Sequence, residues 1–241
     1  MKNIYQNISA SIAKNEKLLA VLIDPDKMKL SNVSSFISKV NQSIATHIFV
    51  GGSEVNEGLT EALVIEIKKH TLLPVVLFPG DVTQITNKAD GILFLSLISG
   101  RNPEYLIGKH VEAVSKLKDS DLEVISTGYI LIENGKQTAV ERVSQTKPLE
   151  RDKIQHIADT AKAGELLGMK LMYLEAGSGA THAIEPKIIS AVKKQLSIPL
   201  IVGGGIRTKT EIELAYKAGA DVIVIGTAFE KDEAFFNHLQ K

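Results

Sequence analysis

The sequence predicts a single (β/α)₈ barrel over residues 1–241, an α/β fold in which parallel strands alternate with helices. Eight short apolar runs recur along the chain and are typical of parallel strands covered on both faces. Helical patterns lie between most of these runs, and 241 residues match the usual length of such a barrel. An open doubly wound sheet would also alternate strands and helices, but eight strands in this length favour closure.

The eight predicted strands are apolar runs that end at small or polar residues. They are Leu18–Ile23, His47–Val50, Val75–Phe78, Ile92–Leu97, Val124–Ile132, Leu171–Leu174, Leu200–Val202 and Val222–Ile225. Active sites of (β/α)₈ barrels lie at the C-terminal ends of the strands. The residues that follow these runs are therefore the candidate site.

Helical periodicity is clear after the fourth and fifth strands. Residues 154–161 carry apolar side chains at the spacing i, i+3, i+4, i+7, and Ile107, Val111 and Val114 follow a similar pattern. Such spacing predicts one-sided helices whose apolar stripe packs against the sheet. The third unit is the exception, because only a short connection through Val82–Lys88 follows its strand.

The last two strands both stop at glycine, in Gly203–Gly205 and in Gly226-Thr227. Between them Thr208 and Glu211 have the capping-box spacing, and Gly219 is placed to end the helix. Exposed backbone N–H groups at such turns favour phosphate binding, and barrels often hold phosphate between the loops after strands 7 and 8. The alternative is a pair of tight turns without a ligand. A dinucleotide site is less favoured, because the glycines do not follow GxGxxG.

Composition excludes several functional classes. Lys+Arg and Asp+Glu number 28 each, so no net charge attracts nucleic acid. The chain has no cysteine, which excludes thiolate chemistry and fits a reducing compartment. No secretory signal or apolar run long enough to span a bilayer is apparent. We therefore expect a cytoplasmic protein without a transmembrane segment.

Three polar residues at predicted strand ends are candidates for chemistry. Asp24 could hold Mg²⁺, which prefers oxygen ligands, or could cap the turn at Pro25. Ser53 could complete that metal site or cap a helix beginning at Glu54. Glu175 is followed by a glycine-rich loop, which favours a base or substrate contact over an ion pair with a neighbouring cation.

The connection from Glu133 to Glu150 is unusually long for a barrel loop. Asn134-Gly135 lies between two apolar segments and predicts a hairpin turn. A long insertion at this end of the barrel suggests a cover over substrate. A surface hairpin without a role is the open alternative.

Several strand-end motifs resemble one known family when they are taken together. They are LIDPDK, FVGGSEV, LFPGD, SLISGRNPEYL, TGYIL, YLEAGSGA, VGGGIR and VIGTAFE. The chain resembles the geranylgeranylglyceryl phosphate synthase family of prenyltransferases, which includes heptaprenylglyceryl phosphate synthases. The resemblance covers residues 18–229, and YLEAGSG, one residue longer than the YLEYSG of other members, is similar to the second branch of the family.

The resemblance implies a (β/α)₈ enzyme that joins a long prenyl chain, most simply geranylgeranyl, to sn-glycerol 1-phosphate as an ether. It implies Mg²⁺ at Asp24 and Ser53, and Glu175 as the residue that orients or deprotonates the glycerol hydroxyl. It also implies a homo-oligomer, either a dimer or an assembly of dimers, with at most transient membrane contact. The implied glycerol-phosphate contacts are Tyr173, Leu174, Glu175, Ala176, Gly177, Ser178, Gly179, Gly204, Gly205, Gly226 and Thr227.

One position departs from the family pattern. Many members carry lysine where this chain has Leu22, so a phosphate contact must come from another cation, for which Lys27 and Arg101 are candidates. Two other functions stay open from the residues alone. A phosphate-binding isomerase or lyase is one, although no predicted strand contains the lysine that a Schiff-base mechanism needs. A non-catalytic sensor of a phosphorylated ligand is the other.

Overall fold

In a computed structural model, which describes residues 3–240, eight parallel strands close into a barrel in chain order. Each strand pairs with the next, and the last pairs with the first. The strands are β1 Leu18–Ile23, β2 His47–Val50, β3 Val75–Leu77, β4 Gly91–Leu97, β5 Glu123–Leu131, β6 Leu171–Glu175, β7 Leu200–Gly203 and β8 Val222–Ile225. The predicted (β/α)₈ fold class is confirmed.

Helices surround this barrel and cover its ends. They are α1 Ile4–Ala13, α2 Leu30–Gln42, α3 Leu59–Lys68, α4 Lys109–Leu117, α5 Ala139–Ser144, α6 Ile154–Leu166, α7 Pro186–Gln195, α8 Lys209–Ala218 and α9 Thr227–Lys231. Short 3₁₀ segments span Val82–Gln84 and Glu233–Leu239, and a π-helical turn spans Glu104–Gly108.

The N-terminal end of the barrel is closed by α1. Ile4 and Ile8 are buried in a cluster with side chains of the barrel interior, including Leu18 and Ile125. The carboxylate of Glu123 accepts hydrogen bonds from the first N–H groups of α1, which otherwise lack partners. Within residues 3–240, α1 therefore covers the N-terminal end of the barrel, and the cavity lies at the C-terminal ends of the strands.

Helix α8 has the predicted ends. The Thr208 hydroxyl accepts from the Glu211 N–H at 3.2 Å, and the Glu211 carboxylate accepts from the Thr208 N–H at 2.9 Å. Gly219 ends the helix with a φ of 116°, a conformation that costs glycine little. These contacts fix where the loop after β7 ends and where the loop before β8 begins.

The predicted orientation of α4 is wrong. Ile107, Val111 and Val114 are 60%, 66% and 56% exposed, so the apolar stripe points away from the barrel. The inner face of the helix instead carries Ala113 and the imidazole of His110. This face borders a cavity rather than a packed sheet, so helical periodicity did not indicate the inward side.

Two local predictions fail at loops that border the same cavity. No helix begins at Glu54, because residues 51–58 form a loop and α3 begins after Gly58, which has a φ of 82°. Ser53 is therefore not a helix cap. The chain bends at Gly135, which has a φ of 90°, but no hairpin forms around Asn134-Gly135. Thr138 instead caps α5 by accepting from the Glu141 N–H at 3.0 Å, a stronger local signal for a helix than for a strand.

Candidate active site

A cavity of about 360 Å³ opens at the C-terminal ends of the strands. It has a polar end near β6–β8 and β1 and an apolar arm near β3 and β4. The predicted site residues that line it are Asp24, Ser53, Tyr173, Glu175, Ser178, Gly179, Gly204, Gly205, Gly226 and Thr227. Of the remaining predicted contacts, Leu174 and Ala176 are buried in the apolar layer outside the barrel. Gly177 supports Glu175 through its backbone.

The polar end contains a cup of backbone groups from the loops after β6, β7 and β8. Gly204 and Gly205 have φ values of 84° and 75°, consecutive left-handed conformations that glycine adopts readily. No residue within 3–240 accepts a hydrogen bond from the N–H groups of either glycine. Across the cup, the hydroxyl oxygens of Ser178 and Thr227 are 3.3 Å apart. Free backbone donors arranged around a hollow are suited to phosphate oxygens.

Glu175 is held inside the rim of the barrel. It is the last residue of β6, where it pairs with Gly203, and it is only 5% exposed. Its Oε1 accepts a hydrogen bond of 2.5 Å from the Gly177 N–H. No lysine or arginine whose side chain the structure describes forms a salt bridge with it. The ion-pair interpretation is therefore not supported.

Burial sets the protonation behaviour of Glu175. It raises the pKa of this carboxyl to about 7, against the lowering effect of the Gly177 N–H and of the Tyr173 and Tyr129 hydroxyls. The same burial raises the pKa of both tyrosines well above the ordinary value, so they stay protonated. A carboxyl with a pKa near neutrality can accept and release a proton at physiological pH. Tyr129, at the end of β5, was not among the predicted site residues although TGYIL contains it.

Tyr173 contributes an unpaired polar atom to the cavity. The residue is fully buried, and its hydroxyl makes no hydrogen bond of regular geometry within residues 3–240. It is close enough to Glu175 to stabilise the carboxylate electrostatically. A Cβ at Gly203 would overlap this hydroxyl, so glycine is required there to admit the ring. A buried hydroxyl without a protein partner is available to a ligand.

Asp24 lies at the end of β1, across the cavity from the Tyr173 hydroxyl. Its Oδ1 accepts from the Asp26 N–H at 3.1 Å, which is the predicted turn-capping contact, and its Oδ2 lies 3.1 Å from Lys27 Nζ. Lys27 also contacts Glu230 at 3.1 Å. Partial burial would lower the pKa of Lys27, but its hydrogen bonds to Asp24 and Glu230 outweigh this and raise it. Lys27 therefore lies charged beside Asp24.

The loop after β2, which carries Ser53, lies close to Asp24. A Cβ at Gly52 would lie 3.1 Å from Asp24 Oδ1, so the two loops are in contact. Both residues line the cavity and present oxygen atoms. Mg²⁺ commonly takes one or two carboxylates, with the remaining positions filled by water and substrate phosphate. The donors present therefore fit this ion, although no cluster of three His, Asp or Glu side chains occurs in the described part of the chain.

The apolar arm lies between β4 and α4. Leu95, Leu97 and Tyr105 line it, whereas Ile98 packs in the outer apolar layer. His110 contacts the ring of Phe94 edge-on, with centroids 4.4 Å apart. Burial lowers the pKa of His110, so the imidazole is neutral near pH 7. A neutral, mainly hydrocarbon surface suits an apolar chain.

The insertion covers this arm. Helix α5 lines the cavity with Ala139, Val140 and Val143. The Tyr105 hydroxyl donates to the Val143 carbonyl at 3.1 Å, and Arg142 pairs with Glu54 at 2.5 Å. The arrangement agrees with a cover over the site and not with a surface hairpin.

Two further cations differ in their access to the cavity. Arg101 does not line it, because its guanidinium donates to the Gly100 carbonyl at 2.6 Å. Lys109, which the sequence did not single out, lines the cavity and pairs with Asp81 at 2.5 Å. Lys27 and Lys109 are thus better placed than Arg101 to supply the positive charge that is absent at Leu22.

Comparison with known proteins agrees with these features. A sequence profile of the PcrB family matches residues 11–241. The chain belongs to the PcrB family. Geranylgeranylglyceryl phosphate synthase of Zunongwangia profunda is 57% identical over 233 residues, which cover 97% of this PcrB-family chain and 99% of that protein. The synthase of Thermococcus kodakarensis is 42% identical over 219 residues, covering 90% of this chain and 86% of that protein.

Solved structures of geranylgeranylglyceryl phosphate synthases are also similar to this PcrB-family chain. The (S)-3-O-geranylgeranylglyceryl phosphate synthase of Thermoplasma acidophilum, in complex with its substrate sn-glycerol-1-phosphate, superposes with a TM-score of 0.92. It is 31% identical and covers 98% of this chain and 95% of its own. The tryptophan synthase α-subunit of Pyrococcus furiosus, with 15% identity and a TM-score of 0.53, shares the fold alone. Within residues 3–240, no helix has the length and apolar character needed to cross a bilayer.

Proposed function

We propose that this chain is a geranylgeranylglyceryl phosphate synthase, which forms an ether between a prenyl chain and the 3-hydroxyl of sn-glycerol 1-phosphate. The observation that carries the proposal is the position of Glu175, a buried carboxyl whose pKa is raised to about 7, beside a cup of free backbone N–H groups. The relatives named for this reaction, at identities up to 57%, support it. Such a product would serve the synthesis of ether phospholipids.

The glycerol phosphate is held at the polar end. The N–H groups of Gly204 and Gly205 and the hydroxyls of Ser178 and Thr227 bind its phosphate, with Gly179 and Gly226 completing the wall. A phosphate there extends its glycerol carbons toward Tyr173 and Glu175. The Tyr173 hydroxyl, which makes no hydrogen bond of regular geometry in the protein, then has the substrate as a partner.

In the reaction, the 3-hydroxyl oxygen of the glycerol attacks C1 of the prenyl diphosphate. The new carbon–oxygen bond forms as the bond from C1 to the diphosphate oxygen breaks, and the diphosphate leaves with that electron pair. The ionised form of Glu175 takes the hydroxyl proton, and with a pKa of about 7 roughly half of the molecules carry this form at pH 7. The protein otherwise holds the two substrates in line.

Asp24 and Ser53 would hold Mg²⁺ at the diphosphate end. When bound there, the ion would neutralise negative charge on the leaving diphosphate. Lys27 contributes positive charge at the same place, since it already contacts Asp24. Lys109 is the second cation proposed for this end of the cavity.

The prenyl chain lies in the apolar arm beneath α5, and geranylgeranyl is the chain length that the names of the relatives favour. We further propose a homo-oligomer, either a dimer or an assembly of dimers, located in the cytoplasm. Light scattering on the purified protein would measure the assembly, and a monomer at micromolar concentration would contradict it.

The activity is tested with radiolabelled sn-glycerol 1-phosphate and prenyl diphosphates of several lengths, with Mg²⁺ and with excess chelator. We expect an organic-soluble product that needs the metal and is most abundant with geranylgeranyl diphosphate. The enantiomer sn-glycerol 3-phosphate is the matched control, since it has the same charge but the opposite chirality. Absence of product with every chain length would overturn the proposal.

A further inference from the structure

The side chain of Gln84 clamps the backbone of the loop that carries Ser53. Its Nε2 donates to the Gly52 carbonyl at 2.8 Å, and its Oε1 accepts from the Gly52 N–H at 3.3 Å. Gln84 is only 2% exposed, so water does not compete for these contacts. The primary amide thus bonds both backbone polar groups of one residue, as a neighbouring strand would.

This clamp acts where the loop has little other regular support. Residues 51–58 form no helix, and α3 begins only at Leu59. The glycine at position 80 approaches the same loop so closely that a Cβ there would overlap the Gly52 carbonyl. A Cβ at Gly52 would in turn lie 3.1 Å from Asp24 Oδ1, so this loop runs beside the Asp24 carboxylate. Because Gly52 directly precedes Ser53, holding the Gly52 backbone restrains the position of Ser53 beside Asp24.

The clamp by Gln84 is possible because the connection after β3 is short. A barrel helix usually follows β3, but this chain has a 3₁₀ turn over Val82–Gln84, with Gln84 as its last residue. Asp81 caps that turn by accepting from the Thr83 N–H at 3.2 Å and also pairs with Lys109 at the cavity wall. The same turn thus faces the Ser53 loop on one side and the apolar arm on the other.

We propose that Gln84 is a positioning residue for the prenyl diphosphate, because it fixes the Gly52-Ser53 backbone against Asp24. The inference rests on the proposed function for the identity of that substrate. It predicts that loss of the clamp weakens binding of a diphosphate with its metal, while the phosphate cup across the cavity is unaffected.

The probe is inorganic diphosphate with Mg²⁺, titrated calorimetrically into the whole protein, so the readout does not depend on turnover. In Gln84→Met, which keeps the side-chain length and loses both hydrogen bonds, we expect affinity to fall about tenfold. Affinity for sn-glycerol 1-phosphate should stay unchanged. In the synthase assay, KM for the prenyl diphosphate should rise by a similar factor, with little change in KM for the glycerol phosphate.

Thr86→Val is the matched control. Thr86 lies in the same segment and is 6% exposed, but its hydroxyl donates to Glu61 at 2.6 Å rather than to the Ser53 loop. We expect Thr86→Val to lower thermal stability without changing diphosphate affinity. An equal loss of diphosphate affinity in both variants would overturn the inference, because it would indicate general loosening of the segment.

Gln84→Glu gives an independent test that does not require loss of the whole clamp. The carboxylate still accepts from the Gly52 N–H but cannot donate to its carbonyl until it is protonated. Diphosphate affinity relative to the parent protein should therefore recover as pH falls. Unchanged affinity in both Gln84 variants would overturn the inference, and a parent protein that binds Mg²⁺-diphosphate without making product would overturn only the proposed function.

Discussion

The carboxylate of Glu175 lies directly against the backbone of Gly204, so closely that a Cβ on Gly204 would overlap Glu175 Oε1. Gly204 belongs to the phosphate cup and Glu175 is the proposed base. The contact therefore couples the place where phosphate is held to the group that handles the proton.

Gly204→Ala should abolish this arrangement. The methyl would collide with the carboxylate, and the φ of 84° would add strain on the order of 1 kcal/mol. We expect loss of glycerol-phosphate binding by calorimetry and loss of turnover. Gly168→Ala is the control, since Gly168 has a φ of 93° with no neighbour within 4 Å of the added carbon. Equal binding in the two variants would exclude the contact as the cause.

Glu175→Gln should lower kcat by roughly 10²–10⁴-fold, the usual contribution of a positioned base. Glutamine keeps the oxygen that accepts from the Gly177 N–H, so KM for the glycerol phosphate should change little. Normal turnover in the variant would remove Glu175 from the base role.

The parent enzyme should show a rising acid limb in kcat/KM. Only the ionised form of Glu175 accepts a proton, and its pKa is raised to about 7 by burial. The apparent pKa of the limb should therefore be near 7 in a pH profile. An acid limb near the ordinary glutamate pKa of about 4.3 would contradict this expectation.

The same shift makes stability depend on pH. Because the folded protein holds the Glu175 proton more tightly than the unfolded chain, the stabilising contribution is complete below the ordinary pKa and is lost as pH rises through about 7. Glutamine does not titrate, so the Glu175→Gln variant does not lose stability in this way as pH rises. The melting temperature of the variant minus that of the parent should therefore increase between about pH 5 and about pH 8. A constant difference would contradict the raised pKa.

Asp24→Asn should weaken both Mg²⁺ dependence and binding of Mg²⁺-diphosphate, because it removes the carboxylate charge at the end of β1. Asp26→Asn is the control: Asp26 is two residues away, but its Oδ1 accepts from Asn56 at 2.9 Å. We expect an ordinary metal titration for Asp26→Asn. An unchanged titration for Asp24→Asn would count against this metal site.

Much of this protein could be predicted from its sequence. The glycine turns after β7 and β8, the capping box of α8 and the acids at strand ends are local signals, since each depends on a few neighbouring residues. Apolar runs predicted all eight strands because a buried parallel strand is apolar on both faces. The strand-end motifs were specific enough to predict the family.

Tertiary structure determined which side chains face the cavity and which residues surround them. The side of α4 that borders the cavity depends on the space left by the short third connection, and helical periodicity contains no information about that space. The pKa of Glu175 results from burial among Tyr129, Tyr173 and Gly177, which the chain brings together only on closing the barrel. Likewise Gln84 lies 32 residues from Gly52 and acquires its partner only through the contact of two loops. Sequence alone determined the fold and the candidate residues, and the closed barrel determined their environments, because burial and electrostatics depend on atoms distant along the chain.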